Sequence, residues 1–326
     1  MIFKKEKDFM LFGLDANQSS YRGVLIFFGV YFGATLIAAL LTPAVYWALH
    51  DFWPNKRVDV FFNRIRYIPI VIALPFMIKA CGLASFANLG LHFTKQNFLR
   101  FLKYFLAGVG IAAAIFVAQI IFADVSYAPM EVKSASKLLV KILFAWILGA
   151  ALIGLLEEII FRALTFRCIY TALGMIWSIL LTSAFFAYKH FRVPADIWQN
   201  VPGQGRVAEW HTGFIIAWYD TVGVFMNWEF VKFFSLFAFG AVLSMIYVRT
   251  KILWGPIGFH MGIVLTMFVY KANVALNFTE EQAFFFGGTN PSSGLLSLLI
   301  LAAMLALLTA LQIREPNKPN NTELLK

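Results

Sequence analysis

YFLAGVGIAAAIFVAQIIFA, residues Tyr104–Ala123, holds no charged side chain. Wound as a helix at 1.5 Å per residue, about 20 residues reach about 30 Å, the thickness of a bilayer's hydrocarbon core. Working outward, Gly294–Ile313 is a second uncharged run and Gly23–His50 a third. The Gly23–His50 run is too long for a signal-peptide core and lacks a small-residue cleavage pattern, so it reads as a retained span. Further apolar runs lie at about 67–88, 138–161, 171–190, 231–248 and 252–271. The expected fold class is therefore all-α: a polytopic membrane helix bundle with about eight transmembrane helices, in a single membrane domain over 1–326. The tail over 314–326 is polar.

Composition agrees. The chain is 60% hydrophobic and 13% charged, with mean hydropathy +0.75. A soluble domain carries about 25% charged residues. Cys81 and Cys168 are too few for a disulfide scaffold. The net charge of +10 is spread between apolar runs rather than clustered. Loops that set topology against anionic lipid explain that distribution better than a nucleic-acid surface does, so no nucleic-acid partner is expected.

Eight spans put both termini on one side. Lys4, Lys5 and Lys7 at the start, with Arg314 and Lys318 at the end, make that side cytoplasmic by the positive-inside rule, in the cell (inner) membrane. The connection Arg249–Lys251 falls there too. One loop disagrees, because Lys56, Arg57, Arg64 and Arg66 would lie outside. The longest connection, 191–230, holds Pro194, Trp198, Pro202, Gly203, Gly205, Trp210 and Trp228. Within it, Phe214–Met226 is apolar apart from Asp220 and too short to span, so an interfacial or re-entrant segment is expected.

The fourth span carries the chemistry. Glu157 and Glu158 follow Leu-Ile-Gly-Leu-Leu and precede Ile-Ile-Phe-Arg. Ionisable groups at membrane depth are costly and mark functional sites. The other reading is a helix end at the interface. Glu158 and Arg162 are four apart and face one side of a helix, while Glu157 points about 100° away. His190 ends the next apolar run. With a turn near Tyr170–Gly174, Glu157 and His190 both lie about 24 Å from it in an antiparallel pair. His260 follows Gly255-Pro256, which is expected to break or kink its helix. It lies only about 15 Å from its own turn, leaving a mismatch of about 9 Å.

Glu157-Glu158-x-x-x-Arg162, then Phe186-x-x-x-His190, then a later His after Gly-Pro, resembles the CPBP family of CAAX proteases and bacteriocin-processing proteins. These are intramembrane proteases. Tyr247-Val-Arg-Thr-Lys-Ile-Leu-Trp-Gly-Pro-Ile-Gly-Phe-His260 is similar to the family's last motif region. The likeness covers about 138–272. It implies hydrolysis of a peptide bond in a membrane-anchored peptide or protein. Glu157 would be the general base, with His190 and His260 orienting water directly or through a metal. Two histidines and a glutamate are also the ligand set of catalytic zinc sites, so Glu157, His190 and His260 are the candidate metal ligands. Glu158, Arg162 and Phe186 are the candidate supporting residues. The family pattern continues His-x-x-x-Asn, the Asn polarising the scissile carbonyl. Here that position is Val264, and the 191–230 insertion is long. Two other readings stand beside the protease: an inactive relative that binds or masks a membrane protein, and a proton-coupled transporter with a Glu/His relay.

Overall fold

The computed structural model describes residues 20–190 and 208–314, apart from positions 55, 82, 84, 132, 133 and 227. The N-terminal lysines, Pro194, Trp198, Pro202, Gly203, Gly205 and Lys318 lie outside the described residues. The principal helices are α1 (Ser20–Leu49), α2 (Val58–Ala80), α3 (Lys95–Phe122), α4 (Ala135–Leu173), α5 (Met175–His190), α6 (Thr212–Met226), α7 (Phe230–Thr250), α8 (Trp254–Lys271) and α9 (Leu295–Arg314). A two-stranded antiparallel ribbon, Val125–Tyr127 with Val274–Leu276, ties the end of α3 to the end of α8.

The polytopic all-α bundle expected from the apolar runs is the architecture observed. The span count differs. Among the described residues, six helices are long and apolar enough to cross a membrane: α1, α2, α3, α4, α7 and α9. α5 has 16 residues and α8 has 18. Both bear site residues and are interleaved with the longer helices. The apolar stretch around Asp220 forms α6, which packs along α1 rather than standing alone.

Two local features correct the sequence reading. Gly255-Pro256 neither breaks nor kinks a helix. α8 begins at Trp254, so Pro256 falls in the first turn, where its missing N–H would have had no intrahelical partner. α4 is not uniformly α-helical either. Lys141–Ile147 and Ile159–Phe166 are wound as π-helix, the second starting directly after Glu158. π-turns of this kind are rare and gather at functional sites.

The core is organised by close backbone approach. Gly258 and Gly262 of α8 lie against the carbonyls of Phe101 and Phe105 in α3, and Gly108 of α3 lies against the carbonyl of Phe259. At each position an added Cβ would approach closer than real Cβ atoms do. Small residues four apart permit this contact where no hydrophobic effect drives helices together. Gly262→Ala is therefore expected to cost about 1–3 kcal/mol, as overpacking does. Thermal unfolding in detergent measures it, and an unchanged midpoint would mean that the seam is slack.

The depth mismatch of His260 also has a structural answer. Tyr247 meets Phe166 edge-on with centroids 5.7 Å apart and accepts a hydrogen bond from Arg167 Nε. Tyr247 is thus level with residues 166–167, and α7 ends three residues later at Thr250, so the α7–α8 turn stops about 6 Å short of the level of Gly174. The segment before α3 covers the recess. Leu253 N–H donates to the Gly90 carbonyl at 3.0 Å, Trp254 Nε1 to the His92 carbonyl at 3.1 Å, and Arg167 Nη1 to the Asn88 carbonyl at 2.6 Å. Gly90 takes a positive φ of 75° in this close contact.

Candidate functional site

Glu157 and Glu158 come from α4, His190 from the last turn of α5 and His260 from the middle of α8. Gly154, one turn before Glu157, brings α4 close to α8. A Cβ there would sit 3.4 Å from the Ile257 carbonyl and 3.5 Å from the Met261 nitrogen. Gly240 does the same between α7 and α5, where a Cβ would lie 3.1 Å from Ser183 Cα. Gly154 thus seats α4 against α8, and Gly240 seats α7 against α5.

Both imidazoles point Nε2 at one carboxylate oxygen. His190 Nε2 is 3.5 Å from Glu157 Oε2, and His260 Nε2 is 3.9 Å from it. The opposite nitrogens are tied down. His190 Nδ1–H donates to the Phe186 carbonyl at 2.8 Å, and His260 Nδ1 contacts Glu158 Oε1 at 2.9 Å. A carbonyl only accepts, so the proton of neutral His190 sits on Nδ1 and its Nε2 carries a lone pair. Glu157 Oε2 is itself buried and has no hydrogen-bond partner among the described residues. Side-chain exposure separates the roles: 29% for Glu157 and 30% for His190, against 3% for His260. The site is reached from the Glu157–His190 side and closed behind His260.

Behind these three groups lies a fully buried ion pair. Arg162 Nη1 donates to Glu158 Oε1 at 3.0 Å, and Arg162 Nη2 donates to the Gly240 carbonyl at 3.0 Å. Glu158 Oε1 thus links the guanidinium to the His260 ring, so one carboxylate fixes both. Phe186 is fully buried between them. Its ring lies 4.2 Å from that of His190 and 6.0 Å from that of His260, and the Arg162 guanidinium stands 5.2 Å over it. Removing Arg162 would leave Glu158 charged, buried and short of its main donor. Arg162→Ala is expected to cost about 3 kcal/mol. Thermal melts in detergent read the loss, and Glu158→Gln in the same background should restore part of it. A wild-type melting point for Arg162→Ala would refute the role of the pair.

Three participants were not evident from the sequence. The Gly240 carbonyl has no residue-type signature, being backbone. Phe239, whose ring is 5.3 Å from that of His260 and edge-on to it, reads only as one more apolar residue. The third is a polar cluster beside His190. Asp220 of α6 pairs with Arg66 of α2 and, at 3.4 Å, with Lys189 of α5, whose Nζ also donates to Tyr31 of α1. Four helices are pinned there, one residue from a site histidine.

Two imidazole nitrogens and a carboxylate oxygen are zinc-type donors. Among the described residues, however, no three or more His, Cys, Asp or Glu are grouped as metal ligands. Val264 lies one turn beyond His260 on α8 and is 7% exposed, with no polar atom to offer a substrate.

Residues 139–266 match the family model described as Type II CAAX prenyl endopeptidase Rce1-like. The matched segment spans Glu157, Arg162, His190 and His260, and the family is the one the motifs resemble. No curated protein and no solved structure matches the chain.

Proposed function

We propose that this membrane-embedded core, matching a family of CAAX prenyl endopeptidases over 139–266, is a glutamate-dependent intramembrane protease. Its substrate is a membrane-anchored peptide or protein. The observation that supports this reading best is Glu157 Oε2, without a hydrogen-bond partner among the described residues, faced by two histidine Nε2 atoms at 3.5 and 3.9 Å.

A water held among these atoms loses a proton to Glu157 as its oxygen attacks the scissile carbonyl carbon. The resulting tetrahedral centre collapses, the carbon–nitrogen bond breaks, and the proton passes from Glu157 to the departing amine. His190, with its proton fixed on Nδ1, accepts from the water through Nε2 and sets its angle of attack. His260 is held by Glu158 and closes the rear of the site. In this reading the chain is a multi-pass membrane protein with both termini cytoplasmic.

A second reading rests on Val264. With no amide at that position, the chain would bind membrane-anchored peptides without cutting them. The two readings separate in one experiment. Purified protein is reconstituted in liposomes with a panel of lipid-anchored peptides, and products are identified by mass spectrometry. Cleavage at a defined bond supports the protease. Retention of peptides without cleavage, across the panel, supports the binding protein.

A further inference from the structure

Four cations crowd the loop and first turns between α1 and α2, on the side that the positive-inside rule would leave poor in them. Two are neutralised within the protein. Arg57 forms a two-pronged pair with Asp59 at 2.8 and 2.9 Å. Arg66 turns inward to Asp220. The other two, Lys56 and Arg64, have no carboxylate partner among the described residues, and both line the same cavity.

That cavity lies between the end of α1 and the outer face of α2 and encloses about 750 Å³. The volume falls within the range of about 300–1,000 Å³ typical of small-molecule sites. Its long wall is aliphatic, formed by Ile65, Ile68, Val71 and Ile72 at successive helical turns. Ile68 and Ile72 are 58% and 62% exposed, so on a spanning helix this wall faces acyl chains. Trp53 and Lys56 of the α1–α2 loop line the cleft at its head, and Arg64 and Tyr67 line it from α2. Indole and phenol rings sit at headgroup level, and long basic side chains reach up to it while their stems stay in apolar surroundings. Arg64 lies six residues into α2, about 9 Å along the axis, within reach of the interface.

We infer that this cleft binds an anionic phospholipid, its phosphate between Lys56 and Arg64 and one acyl chain along Ile65, Ile68, Val71 and Ile72. Charge complementarity selects the occupant. Two unpartnered cations above an apolar slot match a negative headgroup on a hydrocarbon tail, and they offer nothing to a neutral lipid beyond the slot itself. The site shares no residue with Glu157, His190 or His260.

Thermal unfolding of the purified chain in detergent, titrated with phosphatidylglycerol and with phosphatidylcholine of the same acyl chains, tests the assignment. Phosphatidylglycerol is expected to raise the midpoint, and phosphatidylcholine to raise it little. At about 1 kcal/mol per basic residue near a phosphate, Lys56→Gln/Arg64→Gln should weaken the apparent affinity about 30-fold. Lys95→Gln/Lys103→Gln removes the same charge from exposed positions on α3 and should leave the affinity unchanged. Three results would overturn the site: equal stabilisation by phosphatidylcholine, an unchanged response in Lys56→Gln/Arg64→Gln, or the same loss in the α3 variant. Stabilisation by inorganic phosphate alone, matching that of the lipid, would show that the slot plays no part and would also overturn it.

Discussion

Glu157→Gln is expected to lower cleavage by about 10²- to 10⁴-fold while leaving the fold intact. The amide keeps the shape of the carboxylate and its place opposite both histidines, but it cannot take a proton from water. Glu158, the neighbouring carboxylate, is fully buried, and its Oε1 is held by Arg162 at 3.0 Å and by His260 at 2.9 Å. Both histidines spend one nitrogen on a structural hydrogen bond. Because Glu157 Oε2 has no hydrogen-bond partner among the described residues, its replacement strands no donor there, and the melting temperature should stay near that of the wild type. Wild-type cleavage by Glu157→Gln would end the glutamate-base mechanism.

Val264→Asn is expected to act in the opposite direction, raising turnover about 10²- to 10³-fold, the usual value of one donor at an oxyanion. Position 264 is one turn from His260 on the same face of α8, so an amide there would lie near the carbonyl that the water attacks. Burying an amide with no partner in the resting state costs about 1–3 kcal/mol, so a modest drop in melting temperature should accompany the gain. Turnover that stays flat in a folded variant would show that this position does not face the oxyanion. It would also remove the main argument for reading the wild type as catalytically weak.

Much of this arrangement was legible in the sequence, for identifiable reasons. Uncharged runs such as Tyr104–Ala123 have few alternatives to a span, because hydrocarbon tolerates no unpaired backbone. Glu158 and Arg162 could be paired from spacing alone, since four residues bring side chains to one helix face. Glu157 and His190 could be matched in depth because a short turn at Gly174 fixes the register of α4 against α5. His260 could not be matched in the same way. Its level depends on how far the α7–α8 turn is recessed, and that is set by the segment around Gly90, more than 160 residues earlier. The π-wound stretch after Glu158 has no composition of its own, being apolar like the α-helical turns before it. Asp220 stood out as the one charge in an apolar segment, but its partner Arg66 lies 154 residues away, and nothing local to either residue points to the other.

The glycine seam between α3 and α8 behaves as a toothed rail. Each tooth is a main-chain carbonyl, Phe101 or Phe105, and each notch is a position without a Cβ, Gly258 or Gly262. A slip of one, two or three residues would drive a side chain into a carbonyl. A slip of four fares no better, because it seats one glycine but puts Trp254 or Thr266 beneath the other carbonyl. His260 rides on that rail. Its height relative to α3 is fixed by this main-chain contact. Any fine adjustment of the site during turnover therefore falls to α4 and α5, the helices that carry Glu157 and His190.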